Sequence, residues 1–305
     1  MKKISIIYNP ESGSGESEKN AKKVKEQLEQ SDKYKDIDIQ MHATKDSKDA
    51  YKFAKKCSQE KYELIVSIGG DGTINQIAGG IIDGGNHSKL AIMPLGTVNN
   101  MANALKIPTK FEDSIKIVEE GNIRNIDIAK VNKDYMISSM TIGLLADAAI
   151  NVTSEKKRKF GPLAYVIDFL RVLKKYRGYS LVIKHDEGEL KERIMFLLVT
   201  MTDSVGGMSA FTPDAKVDDG YMHVLTMSKL SIGKLIRYLP KLLRSDFSDM
   251  PEIHYFQTSE MTIEKQNKDK KKKVQTRIDG DPSSSVPIKS KVLKQELKVL
   301  APKES

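Results

Sequence analysis

Gly69 to Ile77 reads GGDGTINQI, following the apolar run Leu64 to Ile68 and leading straight into a helical pattern. The apolar run reads as a buried strand and the residues from Ile74 onward as a helix, so the glycines fall on a strand-to-helix turn. Two consecutive glycines let the backbone approach a bulky anion and take up positive φ. The amides that follow, together with the helix N-terminus, point partial positive charge at such an anion. Nucleotide phosphates are the natural ligand of such a turn. Asp71 adds a carboxylate suited to a magnesium ion rather than to phosphate itself. The alternative is an ordinary tight turn capped by Asp or Thr. The flanking sequence favours the ligand.

On either side of this turn the first part of the chain alternates strand and helix. Strands are expected at Ile4 to Tyr8, Ile37 to His42, Leu64 to Ile68 and Leu90 to Met93, and helices at Ser17 to Gln30, Asp49 to Ser58, Ile74 to Ile82 and about Val98 to Leu105. Such alternation implies an α/β N-terminal domain with a mostly parallel sheet, in which ligands collect at the carboxyl ends of the strands. Three loops of small residues would meet there: Asn9 to Gly15 (NPESGSG), Gly69 to Asn75, and Pro94 to Asn99 (PLGTVN). Turn chemistry alone does not require Gly, Ser, Thr and Asn at each strand end.

After about Ile128 the pattern becomes the apolar and polar alternation of antiparallel strands, at Tyr135 to Ile142, Tyr179 to Lys184, Arg193 to Thr200, Tyr221 to Thr226, Glu260 to Glu264 and Val274 to Ile278. A β-rich, antiparallel, sandwich-like C-terminal domain is expected over residues 129–287. The nucleotide domain is expected over 1–128, completed by 288–305 through a last strand, Leu297 to Leu300. Two helical insertions are expected at Pro162 to Tyr176 and Ser231 to Leu243. The second is amphipathic and basic, which suits an ordinary helix on a core or a membrane contact. The lysine run Lys268 to Lys273 reads as a solvated hairpin tip or as an attraction for anionic lipid.

With 305 residues there is room for two cores, and the formal charge of +9, with a pI near 9.2, favours anionic partners without choosing among them. Cys57 is the only cysteine and the five histidines are scattered, which excludes an internal disulfide and a zinc cluster of the usual spacing. No run approaches the roughly 18 apolar residues needed to cross a bilayer. Met1-Lys2-Lys3 leads directly into a strand. The expected location is therefore cytoplasmic, peripheral to the inner face of the membrane. Nucleic acid is not an expected partner, because the basic residues lack interleaved aromatics and the chain has no Trp. Other phosphoryl-transfer motifs are missing: there is no GxxxxGK[ST] loop and no HRD or DFG set.

Seven segments, taken in order, resemble the bacterial diacylglycerol kinase-like lipid kinases, which are related to sphingosine kinases and NAD kinases. They are NPESGSG, GGDGTINQI, PLGTVNNMANAL (Pro94 to Leu105), NIDIAKVN (Asn125 to Asn132), FGPLAY (Phe160 to Tyr165), PDAKVDDG (Pro213 to Gly220) and IDGDP (Ile278 to Pro282). The resemblance implies ATP-dependent phosphorylation of a hydroxyl on a diacylglycerol-like lipid. It assigns ATP contacts to Asn9, Thr44, Gly69, Gly70, Asp71, Gly72, Thr73, Asn75 and Thr97. A magnesium site is implied at the Asp219 carboxylate and the carbonyls of Lys216 and Tyr221, with Asp127 linked to it through water. A second, catalytic magnesium would involve Asp71. Family members carry a DGE motif whose Glu acts as base, and this chain has Asp279, Gly280 and Asp281 there. Asp281 is the implied base and Asp279 its companion. Asn100 and Asn103 also stand where the family usually has Asp and often Arg. The implied partners are ATP, the lipid and a transient anionic membrane surface, and a homodimer is among the expected assemblies. The alternatives are a kinase for a sphingoid base or NAD, and a nucleotide-binding paralogue with little turnover.

Overall fold

The computed structural model describes residues 2–12, 15–34, 36–46, 48–96, 98–144, 146, 176–203, 212, 214–229, 231, 233–234, 237–238, 241, 249–266 and 273–303. The first part is built of β1 (Lys3–Tyr8), α1 (Ser17–Gln30), β2 (Asp38–Ala43), α2 (Asp49–Gln59), β3 (Leu64–Gly69), α3 (Asp71–Asp83), β4 (Lys89–Pro94), α4 (Asn100–Ala104) and α5 (Phe111–Glu120). The strands run parallel in the order β2-β1-β3-β4. All six residues of β3 are buried, because the sheet is covered on both faces. Ala50, Ala54 and Cys57 of α2 join Ile74, Ile77 and Ile81 of α3 against Ile7, Ile65 and Ile92 on one face. Ala21, Val24 and Leu28 of α1 join Ile115 and Val118 of α5 against Ile6, Val66 and Met93 on the other. Each helix buries residues spaced at about one turn, and each strand sends alternate residues to opposite faces.

The strands of the rest of the described chain pair mostly antiparallel: β5 (Asn122–Val131), β6 (Asp134–Met136), β7 (Ser139–Gly143), β8 (Tyr179–His185), β9 (Gly188–Thr200), β10 (Met222–Ser228), β11 (Ile253–Thr258), β12 (Glu260–Lys265), β13 (Gln275–Ile278), β14 (Asp281–Ser285) and β15 (Ile288–Ala301). A third core, including Met140, Leu197, Val224 and Ile263, fills this part. The two parts share one sheet. The first half of β15 pairs with β12, and Val299 near its end pairs in parallel with Leu90 of β4. β5 accompanies β15 along both halves.

The last strand, expected at Leu297 to Leu300, runs over Ile288–Ala301, and α5, β5, β11 and β14 stand where the sequence reading places no element. Three further departures bear on the site. The strand expected at Tyr135 to Ile142 is divided into β6 and β7, because the amides of Ile137 and Ser138 turn to the carboxylate of Asp279 instead of to a ladder partner. The helix expected from Val98 begins at Asn100, since Asn99 takes the left-handed conformation (φ 55, ψ 46). The helix expected from Ile74 begins three residues earlier, at Asp71, which puts Gly72 into its first turn, leaves Gly70 as its N-cap at φ −93, and keeps Gly69 as the last residue of β3. The insertion expected at Pro162 to Tyr176, the FGPLAY segment, most of Ser231 to Leu243 and Lys268 to Lys272 lie outside the described residues.

Candidate functional site

The carboxyl ends of four parallel strands lie side by side. Asn9 N–H donates to Ile68 O (3.2 Å), Leu95 N–H to Gly69 O (3.2 Å) and Thr44 N–H to Tyr8 O (2.9 Å). These bonds bring together Asn9, Thr44 and the Gly69–Gly70 turn; Thr97 lies outside the described residues. A Cβ built on Gly96 would stand 2.8 Å from the Gly70 Cα, so the second and third loops touch through backbone. Gly70 caps α3, and the bonds from Thr73 and Ile74 N–H to its carbonyl leave the amides of Asp71 and Gly72 without an acceptor among the described residues. Two such amides at the N-terminus of a 13-residue helix carry the partial positive charge that suits an anion. A Cβ on Gly70 would meet the Gly96 Cα at 3.5 Å, an ordinary van der Waals contact, so the two loops pack here without a clash.

Asp71 braces the cradle. The amides of Asn99, Asn100 and Met101 donate to its carboxylate, yet burial pushes its pKa up more than they pull it down. Its Oδ1 is buried and has no partner. Two unsatisfied oxygens, Asp71 Oδ1 and Asn99 Oδ1, therefore lie near the seam of the two loops.

The IDGDP segment forms the tight hairpin between β13 and β14. Asp279 (φ 47) and Gly280 (φ 91) occupy its two turn positions, as Asp-Gly suits when both must be left-handed. The turn sends the two aspartates in opposite directions. Asp279 points inward, 6% exposed, and accepts from Asn75 Nδ2 (2.6 Å) and from the amides of Ile137 (2.9 Å), Ser138 (2.8 Å) and Ser139 (2.7 Å). Burial pushes its pKa up to about 6 against the pull of these donors. Asp281 is exposed and stands over the cradle, its Oδ2 2.6 Å from where a Cβ on Gly72 would be. Asn75 gives its side-chain N–H to Asp279 and to Tyr135 O (2.7 Å), so that amide group is spent within the protein. Beside Asp281 opens a cleft of 590 Å³ lined in part by Lys48, Asn75, Gln76, Tyr135 and Ser283.

The third constellation lies on the loop from Ala215 to Tyr221. The Asp219 carboxylate accepts from Lys216 N–H (2.9 Å), Tyr221 N–H (2.9 Å) and His223 Nε2 (2.9 Å). Burial raises its pKa, but these bonds and the nearby imidazole outweigh burial, and the net direction is down. Among the described residues no hydrogen bond reaches the carbonyls of Lys216 or Tyr221. One carboxylate and two free carbonyls form an oxygen-only donor set that fits magnesium. No three His, Cys, Asp or Glu side chains converge on a metal among the described residues. Asp127, 2% exposed, accepts Gly220 N–H (2.5 Å), and its own N–H donates to Val217 O (2.7 Å). Burial raises its pKa.

The sequence reading did not single out Lys48, Gln76, Arg124 or His223. Arg124 holds Asp218 through Nε (3.1 Å) and Nη2 (2.9 Å), fastening the same loop. A histidine at an inward position of the alternating stretch YMHVLT was the available signal for His223.

An α/β domain with a glycine cradle at its strand ends, joined through one sheet to an antiparallel domain that carries an acidic hairpin over the cradle, defines the class. Residues 3–131 match the diacylglycerol kinase catalytic domain, and residues 138–301 match the YegS C-terminal NAD kinase beta sandwich-like domain. A diacylglycerol kinase of Bacillus subtilis (strain 168) is 32% identical over 307 residues, covering 100% of this chain and 98% of the relative. Another, of Staphylococcus saprophyticus, is 28% identical over 303 residues, covering 99% and 96%. The crystal structure of a diacylglycerol kinase from Bacillus anthracis strain Sterne superposes with a TM-score of 0.77 at 23% identity, covering 99% of this chain and 98% of that one. A second crystal structure from that strain gives 0.80 at 24%, with the same coverage. The chain belongs to the diacylglycerol kinase family.

Proposed function

We propose that the protein is an ATP-dependent lipid kinase that transfers the γ-phosphoryl group of ATP to a hydroxyl of a diacylglycerol-like lipid. The observation that carries this reading is the Asp281 carboxylate standing over the Gly72 end of the cradle. The free amides of Asp71 and Gly72 receive phosphate oxygens, with Asn9 and Thr44 on one flank and Thr97 on the other. Thr73 and the remaining polar atom of Asn75 complete the nucleotide contacts. The acceptor hydroxyl enters beside Asp281 and loses its proton to it as the new O–P bond forms. The bond from the γ-phosphorus to the β,γ-bridging oxygen breaks, and ADP leaves. Asp279 touches neither reactant; it orients the hairpin that presents Asp281.

Two magnesium roles accompany this reading. The unpartnered Asp71 Oδ1 suits the ion that travels with ATP. Asp219, with the carbonyls of Lys216 and Tyr221, suits a structural ion. When bound, the first ion neutralises phosphate charge. In this reading the nucleotide domain spans 1–128, completed by 288–305, with the lipid domain over 129–287. A lipid acceptor and a net charge of +9 favour transient docking on an anionic bilayer, with no helix of the described residues long and apolar enough to cross it. A homodimer is the assembly we propose for solution.

The test is turnover of labelled ATP on diacylglycerol dispersed in phosphatidylglycerol vesicles, with D281N as the variant. Loss of a positioned base lowers kcat by about 10²- to 10⁴-fold, with nucleotide affinity retained. Phosphorylation of NAD or of a sphingoid base alone, or equal turnover by D281N, would reject the assignment.

A further inference from the structure

His223 lies in β10, is wholly buried, and has both ring nitrogens engaged. Nε2 is 2.9 Å from Asp219 Oδ2 and Nδ1 is 2.6 Å from the Tyr255 hydroxyl in β11. A buried imidazole between a carboxylate and a phenol has its tautomer set by its neighbours. The carboxylate only accepts, so the Nε2 side must carry hydrogen. Gln257 supplies a side-chain hydrogen bond that lowers the Tyr255 pKa, as a donor to the phenol oxygen does, although burial raises it more. That oxygen, already accepting, is free to give its own hydrogen to Nδ1. The chain runs in one direction: Tyr255 O–H to His223 Nδ1, then His223 Nε2–H to Asp219 Oδ2.

The consequence falls on the loop. With Oδ2 taking both His223 and Lys216 N–H, and Oδ1 taking Tyr221 N–H, one lone-pair direction remains on Oδ1. The loop carbonyls of Lys216 and Tyr221 are left unbonded among the described residues. We propose that His223 and Tyr255 are positioning residues for a divalent cation, holding Asp219 so that its free lone pair and these two carbonyls face one point. This rests on the reading of Asp219 as a magnesium ligand. Supporting groups of this kind commonly change metal affinity by about 10- to 100-fold when removed.

Tyr255→Phe tests this without touching the loop or emptying a buried site, as replacing His223 itself would. The full chain is titrated with magnesium alone by calorimetry, beside Asp219→Asn, and the ¹⁵N shifts of His223 are read in the metal-free protein. The expected result is a site that Asp219→Asn abolishes and Tyr255→Phe weakens about 10-fold. The ring shifts should be those of a bare Nδ1 and a protonated Nε2. Equal magnesium affinity in Tyr255→Phe and the wild type, or a hydrogen resident on Nδ1, overturns the positioning role while leaving the metal site standing. Equal affinity in Asp219→Asn and the wild type removes the metal reading itself, and this role with it.

Discussion

Replacing Gly72 by alanine tests whether the proposed reacting end of the cradle is separate from the part proposed to bind nucleotide. The added Cβ would stand 2.6 Å from Asp281 Oδ2, while the next atoms of that carboxylate lie at 3.5 and 4.0 Å. Ordinary C···O contacts begin near 3.4 Å, so the carboxylate must retreat by about 0.8 Å. Asp281 is exposed at the first position of β14 and can rotate away, so the fold loses little. A positioned base has less tolerance: a misplacement of about 1 Å can lower the rate by about 10²-fold, or roughly 2.7 kcal/mol of barrier. Turnover of labelled ATP on diacylglycerol vesicles, titration calorimetry with ADP and thermal unfolding are the three readings needed. The expected pattern is a kcat near one hundredth of wild type, an ADP affinity within a few-fold and an almost unchanged Tm. Wild-type kcat in Gly72→Ala would refute the placement of Asp281 at the reacting centre. A loss of ADP affinity as large as the loss of kcat would show that Gly72 serves the nucleotide instead.

Gly70→Ala is the complementary change: its Cβ would meet nothing closer than 3.5 Å and the backbone φ of −93 admits alanine, so the variant folds normally. Calorimetry should nonetheless register about a 10-fold weaker ADP affinity if phosphate occupies that space, and an unchanged affinity would move the phosphates elsewhere. Asp279 has a folded pKa of about 6 against an ordinary 3.8, so the folded state holds the proton more tightly. Its contribution to stability is fully present below pH 3.8 and is lost as pH rises through 6. The stability of the wild type relative to Asp279→Asn should accordingly fall by about 3 kcal/mol between pH 3.5 and 7.5. Urea unfolding across that range checks this, and a rise with pH would mean that the four donors outweigh burial.

What could be read in the sequence was what local chemistry determines. The amphipathic spacing of Ala21, Val24 and Leu28 and the unbroken burial of β3 identify helices and strands without knowledge of their neighbours. The strand-to-helix turn was legible for the same reason, since paired glycines between an apolar run and a helical pattern mark one. The division between β6 and β7 was not, because its cause is a carboxylate 140 to 142 residues away in sequence. The inward turn of Asp279 was hidden for the same reason. An Asp-Gly pair announces a hairpin turn, but only its partners reveal which aspartate faces the cleft. His223 was invisible as a partner of Asp219 because spacing of four residues is a signal on a helix, and here it joins a loop to a strand.

Two buried carboxylates explain how one sheet can hold a cradle and a hairpin in fixed relation. Asp127 lies in β5 as the pair β5 and β15 passes from one core to the other. The ladder breaks there between Leu293 and Leu297, and Gln295 takes a positive φ of 50. Asp127 spans that break, accepting Gln295 N–H (2.7 Å) with one oxygen and Gly220 N–H (2.5 Å) with the other. It therefore ties the irregular point of the shared strand to the loop that carries Asp219. Asp279 makes the corresponding tie on the other side, joining Asn75 of α3 to the amides between β6 and β7. Each carboxylate gives up solvation, which raises its pKa, in return for donors on separate elements. Neither needs to touch a reactant to matter. With Asp279 holding the hairpin turn against α3, the position of Asp281 over Gly72 is set by α3 itself, the same helix whose first amides we propose as the phosphate site.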